Sequence, residues 1–275
     1  MVAHDKRVLI LCKTYPSPSA KYAETSCVAG VDEAGNFVRL YPVPFRLISS
    51  DKQFKKWQWV SAKMEQSRSD RRPESHKLYV DTIHCHDEPL PTNNNWEARR
   101  LVLDKLPVYS DFTALDADRE SRGVTLALLR PTKILGLDIS PAGSPEWTEE
   151  EKAKLVSLQR QAELFDDTDA RSVAQLRKLP FDFHYRYACE TPQGTVAYKH
   201  KIVDWEVGAL YWNVRRGHGR DWEQPFREKL ESEIPAADLM FLLGTIHRFR
   251  DQWLIVSLIY PPRQQPVSEP QQSLF

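Results

Sequence analysis

The residues best suited to chemistry in this sequence are aromatic and basic, and they fall in three places. Trp57 and Trp59 stand two apart, which on a strand puts both on one face. Lys55 and Lys56 adjoin them, and Arg68, Arg71 and Arg72 follow in a polar loop. Phe37, Arg39 and Tyr41 alternate in the same way and make a second aromatic–basic face. Trp205 and Trp212 lie on an expected helix that ends in the run Arg215, Arg216, Gly217, His218, Gly219, Arg220. Aromatic planes stack on bases, worth roughly 1–3 kcal/mol per base, and cations line phosphates, so this mixture suits single-stranded nucleic acid. A competing reading keeps one or both of Trp57 and Trp59 in a core and leaves the charges as a solvated surface. Arg215, Arg216 and Arg220 would then complement the end of a helix dipole.

Other chemistries find little. His84, Cys85 and His86, with His76 nearby, bring at most two ligands together, whereas zinc takes three or four from protein. No GxSxG, P-loop, dinucleotide fingerprint or HExxH is present. The sequence therefore offers no catalytic residue, metal site or cofactor, and reads as a binding protein more readily than an enzyme. An enzyme would need carboxylates that only the fold brings together. The 275 residues hold 38 basic and 38 acidic side chains, so net charge draws in neither nucleic acid nor membrane, and any basic surface is local. A composition 41% hydrophobic and 28% charged is ordinary for one large or two smaller globular domains. Cys12, Cys27, Cys85 and Cys189 form no CxxC pair, and the apolar run Val8–Leu11 is too short to span a membrane. The expected setting is cytoplasmic, with reduced thiols and no membrane partner.

Short elements must position these groups. Val8–Lys13, Thr25–Val31, Phe37–Tyr41, Lys56–Met64 and Lys77–Ile83 read as strands, the second and third joined by a turn holding Gly35. They fit a small barrel. Asn95–Leu106 reads as a helix capped by Asn94 or Asn95, and Val124–Leu137 as a strand or strand pair interrupted at Pro131. Ser140–Pro145 reads as a linker. Thr148 and Glu151 form a capping box for a helix to about Phe165. Phe181–Cys189 and Thr195–Val203 are expected strands, and Asp204 caps a helix through Arg216. A further helix starts near Asp221 and ends before Pro235; Leu239–Ile246 and Trp253–Tyr260 form a closing hairpin. The expected domains are 1–139, 140–262 and a polar tail 263–275.

Two resemblances add to this. Cys27–Val31 followed by Asn36–Pro42, then Phe54–Trp59, Arg72–Ser75, Asp204-Trp205-Glu206, Gly244–His247 and Tyr260-Pro261-Pro262 resemble a prokaryotic family described as dual OB-domain proteins. The resemblance covers nearly all of the chain up to Pro262. It implies a β-rich α+β fold of two OB-like small barrels with added helices, and hence nucleic-acid binding. The family's Cys-and-Gly-His element before the Asp-Trp-Glu helix is reduced here to His200, so no metal site carries over. The terminal Gln271-Gln272-Ser273-Leu274-Phe275 resembles the peptide by which bacterial DNA polymerases and repair proteins attach to the DNA sliding clamp. That implies Gln271 in the polar part of a clamp pocket, Ser273 as the small polar residue between, and Leu274 and Phe275 in the apolar part. Alternatively Leu274 and Phe275 fold back on their own domain. The expected protein binds DNA or RNA, preferably single-stranded, and docks on the clamp. A metal-dependent nuclease and a nucleotide-sensing defence component are the rival readings.

Overall fold

The structure, a computed structural model, describes residues 3–19, 23–143, 146–150, 153, 177–247 and 249–264. The expected tail peptide, and all but a few residues of the helix expected up to Phe165, lie outside them.

The first seven strands are β1 (His4–Lys13), β2 (Ser17–Ser19), β3 (Ala23–Asp32), β4 (Phe37–Val43), β5 (Trp59–Gln66), β6 (Ser75–Leu78) and β7 (His84–Cys85). β1 pairs with β3, β3 with β4, β4 with β6 in parallel, β6 with β5, and β5 returns to β1. Five strands thus close a Greek-key barrel of OB type. Gly35 supplies the positive φ of 86° that the β3–β4 turn requires, and the Asp32 carboxylate accepts the Ala34 and Asn36 N–H groups. Two sequence expectations shift here. The strand expected over Lys77–Ile83 is β6, after which Val80–Thr82 turns as a 3₁₀ helix. Trp57 precedes β5 with a φ of 67°, its N–H donating to the Ile10 carbonyl at 2.7 Å.

Helix α1 (Asn93–Leu103) follows, and its Asn94, Asn95 and Trp96 adopt left-handed angles instead of an asparagine cap. β8 (Val108–Tyr109) leads to α2 (Phe112–Arg122), which the sequence reading passed over. Its boundaries have clear causes: the Asp111 carboxylate accepts the Thr113 N–H at 2.6 Å, and Gly123 ends it at a φ of 71°.

The second sheet contains β9 (Leu126–Leu129), β10 (Lys133–Pro141), β11 (Phe181–Thr191), β12 (Gly194–Ile202), β13 (Met240–Thr245) and β14 (Trp253–Ile259), in the order β10-β11-β12-β14-β13-β9-β8. β12 and β14 are parallel at Ile202 and Ile255. If β9 and β10 are counted as one strand broken around Pro131, this is the order of the first barrel. Between β12 and β13 lie α3 (Trp205–His218) and a broken helical run: Glu223–Arg227, a π-helical Glu228–Glu233 and Ile234–Ala236. Asp204 caps α3 by accepting the Glu206 N–H at 2.8 Å. β10 crosses the expected 139/140 boundary while pairing along its length with β11.

Alternation sorts the apolar residues into three cores. Val8, Ile10, Val28, Val38, Leu40 and Phe54 fill the first barrel. Ala127, Leu129, Tyr185, Tyr187, Phe241 and Leu243 belong to the second. Their alternate neighbours Leu9, Leu11, Ala29 and Val31 pack against Leu126, Leu128, Met240, Leu242 and Val256 to make a third core between the barrels. Leu126–Leu129 of β9, Met240–Leu243 of β13 and Trp253–Val256 of β14 read as unbroken apolar runs because both of their faces are covered.

Candidate nucleic-acid interface

The core between the barrels decides which of the expected contact residues are reachable. Arg39 points outward from β4, but that face is covered, and it is 2% exposed. Its guanidinium donates to Glu74 Oε1 from Nε at 3.1 Å and from Nη2 at 3.0 Å, and Nη2 donates to the Thr125 carbonyl at 2.8 Å. Arg72 is equally buried: Nε donates to both Asp70 oxygens at 2.9 Å, and Nη1 to the Thr245 carbonyl at 2.6 Å. Burial alone would raise the Asp70 pKa, but hydrogen bonds from Arg72 and Ser75 hold it at about 2. Lys56 Nζ donates to Glu206 at 2.7 Å and to the Leu258 carbonyl at 3.0 Å. All three cations fasten one barrel to the other.

The tryptophans are also packed. Trp57 is buried, edge-on to Trp96 at 5.5 Å, with the Arg99 guanidinium 4.9 Å from its ring. Trp59 is half-buried under Arg7 at 4.8 Å. The two do not form the shared strand face that their spacing predicts, because Trp57 sits in the turn before β5. Trp205, at the start of α3, meets Phe45 of the first barrel at 5.6 Å. Lys13 Nζ lies against both rings, 3.6 Å from Phe45 and 5.2 Å from Trp205. Burial lowers the Lys13 ammonium to about 8, with Glu206 opposing.

A different set stays exposed and forms a strip. Tyr41 is 47% exposed on β4, and the parallel register of Arg39 with Ser75 and Leu40 with His76 carries it alongside Lys77. Tyr79, two residues on, is 36% exposed, and Lys77 Nζ lies 4.7 Å from its ring. Arg68 and Arg71 are exposed on the β5–β6 loop that feeds β6. The β13–β14 loop of the second barrel meets that loop: His247 Nε2 is 3.2 Å from the Ser69 carbonyl. Beyond His247 stand Phe249, 54% exposed, and Arg250, also exposed. In OB barrels the loop between the fourth and fifth strands helps bind oligonucleotides, and here two such loops adjoin. Of this exposed set, Tyr41, Arg68 and Arg71 are candidates from the sequence, and Lys77, Tyr79, Phe249 and Arg250 are added by the structure. The available signals were the alternation of Lys77 and Tyr79 with His76 and Leu78, and a large apolar Phe249 inside a turn.

The remaining candidates lie elsewhere. Lys55 is exposed and paired with Glu88 at 3.1 Å. Arg216 and Arg220 are exposed at the C-terminal end of α3, where Arg215 donates to the Gly219 carbonyl. His84 and His86 pack edge to face with ring centroids 4.9 Å apart, and His86 Nε2 is 2.6 Å from the Ser61 hydroxyl. Among the described residues no group of three or more His, Cys, Asp and Glu could hold a metal ion, and no helix is long and apolar enough to cross a membrane. Gln271, Ser273, Leu274 and Phe275 lie outside the described residues.

Comparison with known proteins gives families and a weak structural likeness. The chain is similar to a solved replication protein A heterotrimer bound to ssDNA, at 8% identity, covering 94% of this chain and 66% of that one, with a TM-score of 0.25. A likeness at that level transfers no ligand. No curated protein matches the sequence. Residues 4–105 match a family described as a domain of unknown function (DUF8758). Residues 110–275, more than half of the sequence, match a second such family, and the chain belongs to it: domain of unknown function (DUF8757).

Proposed function

We propose that the chain binds single-stranded nucleic acid along the exposed strip and performs no chemistry on it. The observation that carries this reading is the line of exposed side chains on adjoining loops and strands: Phe249 and Arg250, then Arg68 and Arg71, then Tyr41, Lys77 and Tyr79. Exposed aromatic rings between cations meet the needs of a flexible polyanion with flat bases. The outer β3–β4 surface near Arg39 contributes no contact, since the second barrel covers it. The chain's balanced charge makes the affinity depend on this local strip.

The segment Gln271–Phe275 supplies the second part of the proposal, docking on a bacterial DNA sliding clamp and raising the local concentration of the strip at DNA. Its support is the sequence of the peptide.

Anisotropy of a labelled oligonucleotide tests the first part. Affinity is expected to fall steeply with salt and to weaken roughly tenfold or more in Tyr41→Ala/Tyr79→Ala, as lost stacking implies. Wild-type affinity in that double variant would refute the strip. Binding of the whole chain to a bacterial clamp, compared with a version lacking Gln271–Phe275, tests the second part. Binding that survives the truncation would refute the docking peptide.

A further inference from the structure

Strand β12 is paired along one side and open along most of the other. It pairs with β11 over its whole length but meets β14 only at Ile202. Among the described residues no strand pairs with its other edge from Gly194 to His200. Val203 N–H donates to the Ile255 carbonyl at 2.9 Å, which fixes the parity of that edge. Alternation then turns the N–H and C=O of Thr195, Ala197, Lys199 and Lys201 the same way, away from β11. The open edge is about 23 Å long at a rise of ~3.3 Å per residue.

Such an edge templates pairing, and proteins usually blunt it with proline, charge, a bulge or a covering element. Gly194–Tyr198 carries no charge and no proline, and Val196 is 38% exposed. The cations that follow are turned back onto their own sheet: Lys199 to Asp138 at 2.8 Å and Lys201 to Asp182 at 2.6 Å.

We propose that this edge pairs antiparallel with β12 of a second copy of the chain, about a two-fold axis at Ala197. The sequence of the strand is complementary to itself in that register. Val196 stands opposite Tyr198 of the second copy, twice over, a β-branched–aromatic pair on one face. Thr195 stands opposite Lys199, so no cation faces a cation. Beyond Thr195 lies Glu190, which accepts the Thr195 hydroxyl at 2.7 Å. Lys199 already reaches across one intervening strand to Asp138, and the same reach takes it to Glu190 of the second copy. The small Ala197 side chain meets its own equivalent at the axis. The result is a continuous sheet through both copies, β10-β11-β12 meeting β12-β11-β10, which unites two nucleic-acid strips in one particle.

Light scattering of the full chain against concentration tests this. The expected mass approaches twice 31.9 kDa. Ala197→Pro removes an N–H that faces the open edge and none that faces β11, so it is expected to leave the fold intact and weaken the dimer at least tenfold. Ala197→Lys, which sets cation against cation at the axis without removing a ladder bond, is expected to do the same and decides the matter if the proline variant unfolds. A wild-type chain that stays at 31.9 kDa overturns the proposal, and so does a dimer that both variants retain.

Discussion

At the scale of single residues, arginines of one loop have opposite fates. Arg68 and Arg71 point into solvent, while Arg72 is 4% exposed and holds Asp70 against the second barrel. Removing Arg72 strands a buried carboxylate, so Arg72→Ala should cost roughly 3–5 kcal/mol in denaturant unfolding. Arg68→Ala and Arg71→Ala should change stability by no more than about 0.5 kcal/mol while weakening oligonucleotide binding. Asp70 also sets a pH dependence. Its carboxyl is held at about 2 in the folded chain, below the ordinary 3.8. The stability it contributes is present above that ordinary value and is lost as pH falls from about 4 through 2, where both states become protonated. Asp70→Asn should therefore flatten the acid limb of a stability–pH curve over that window. None of this was legible locally. Arg68, Arg71 and Arg72 are the same residue type in similar polar company, and what separates Arg72 is Thr245, far along the chain; on β4, Arg39 is buried by an equally remote partner, Thr125.

At the scale of elements, α3 shows how one small residue sets a packing distance. A Cβ on Gly208 would collide with the ring of Tyr15. That ring is fixed at its hydroxyl, which accepts the Trp212 Nε1–H at 2.9 Å and donates to the Arg177 carbonyl at 2.8 Å. In an open helix Gly→Ala is stabilising by about 1 kcal/mol. Here Gly208→Ala should instead destabilise by roughly 1–3 kcal/mol, a reversal of sign that thermal unfolding will read. Most strands were legible because alternation or an apolar run is a local property, as in Phe181–Thr191 and Trp253–Ile259. Asp204 as a cap was legible for the same reason. The signals for α2, Asp111 before it and Gly123 after it, were present but weak beside its charged interior. Trp57 was misplaced because a positive φ on a tryptophan answers to its tertiary contacts, not to the spacing of its neighbours.

At the scale of the whole molecule, the two family matches meet between residues 105 and 110, yet the barrels on either side share a core. A fragment ending at Pro107 would expose Leu9, Leu11, Ala29 and Val31 together, so it should not fold alone. The intact chain should unfold in one cooperative transition, checked by coincident fluorescence and circular dichroism curves. The OB-like architecture was legible from strand count and resemblance; the burial of the first barrel's β3–β4 face was not, because it depends on how the second barrel docks. On the proposed function, that burial leaves the strip from Phe249 to Tyr79 as the surface that binds. The most direct test is titration of a labelled single-stranded oligonucleotide with the wild-type chain and with Tyr41→Ala/Tyr79→Ala across a salt series. Salt-sensitive wild-type binding is expected, with a loss of tenfold or more in the variant at every salt concentration. Equal affinity of the two proteins, or no binding by the wild type at low salt, would contradict it.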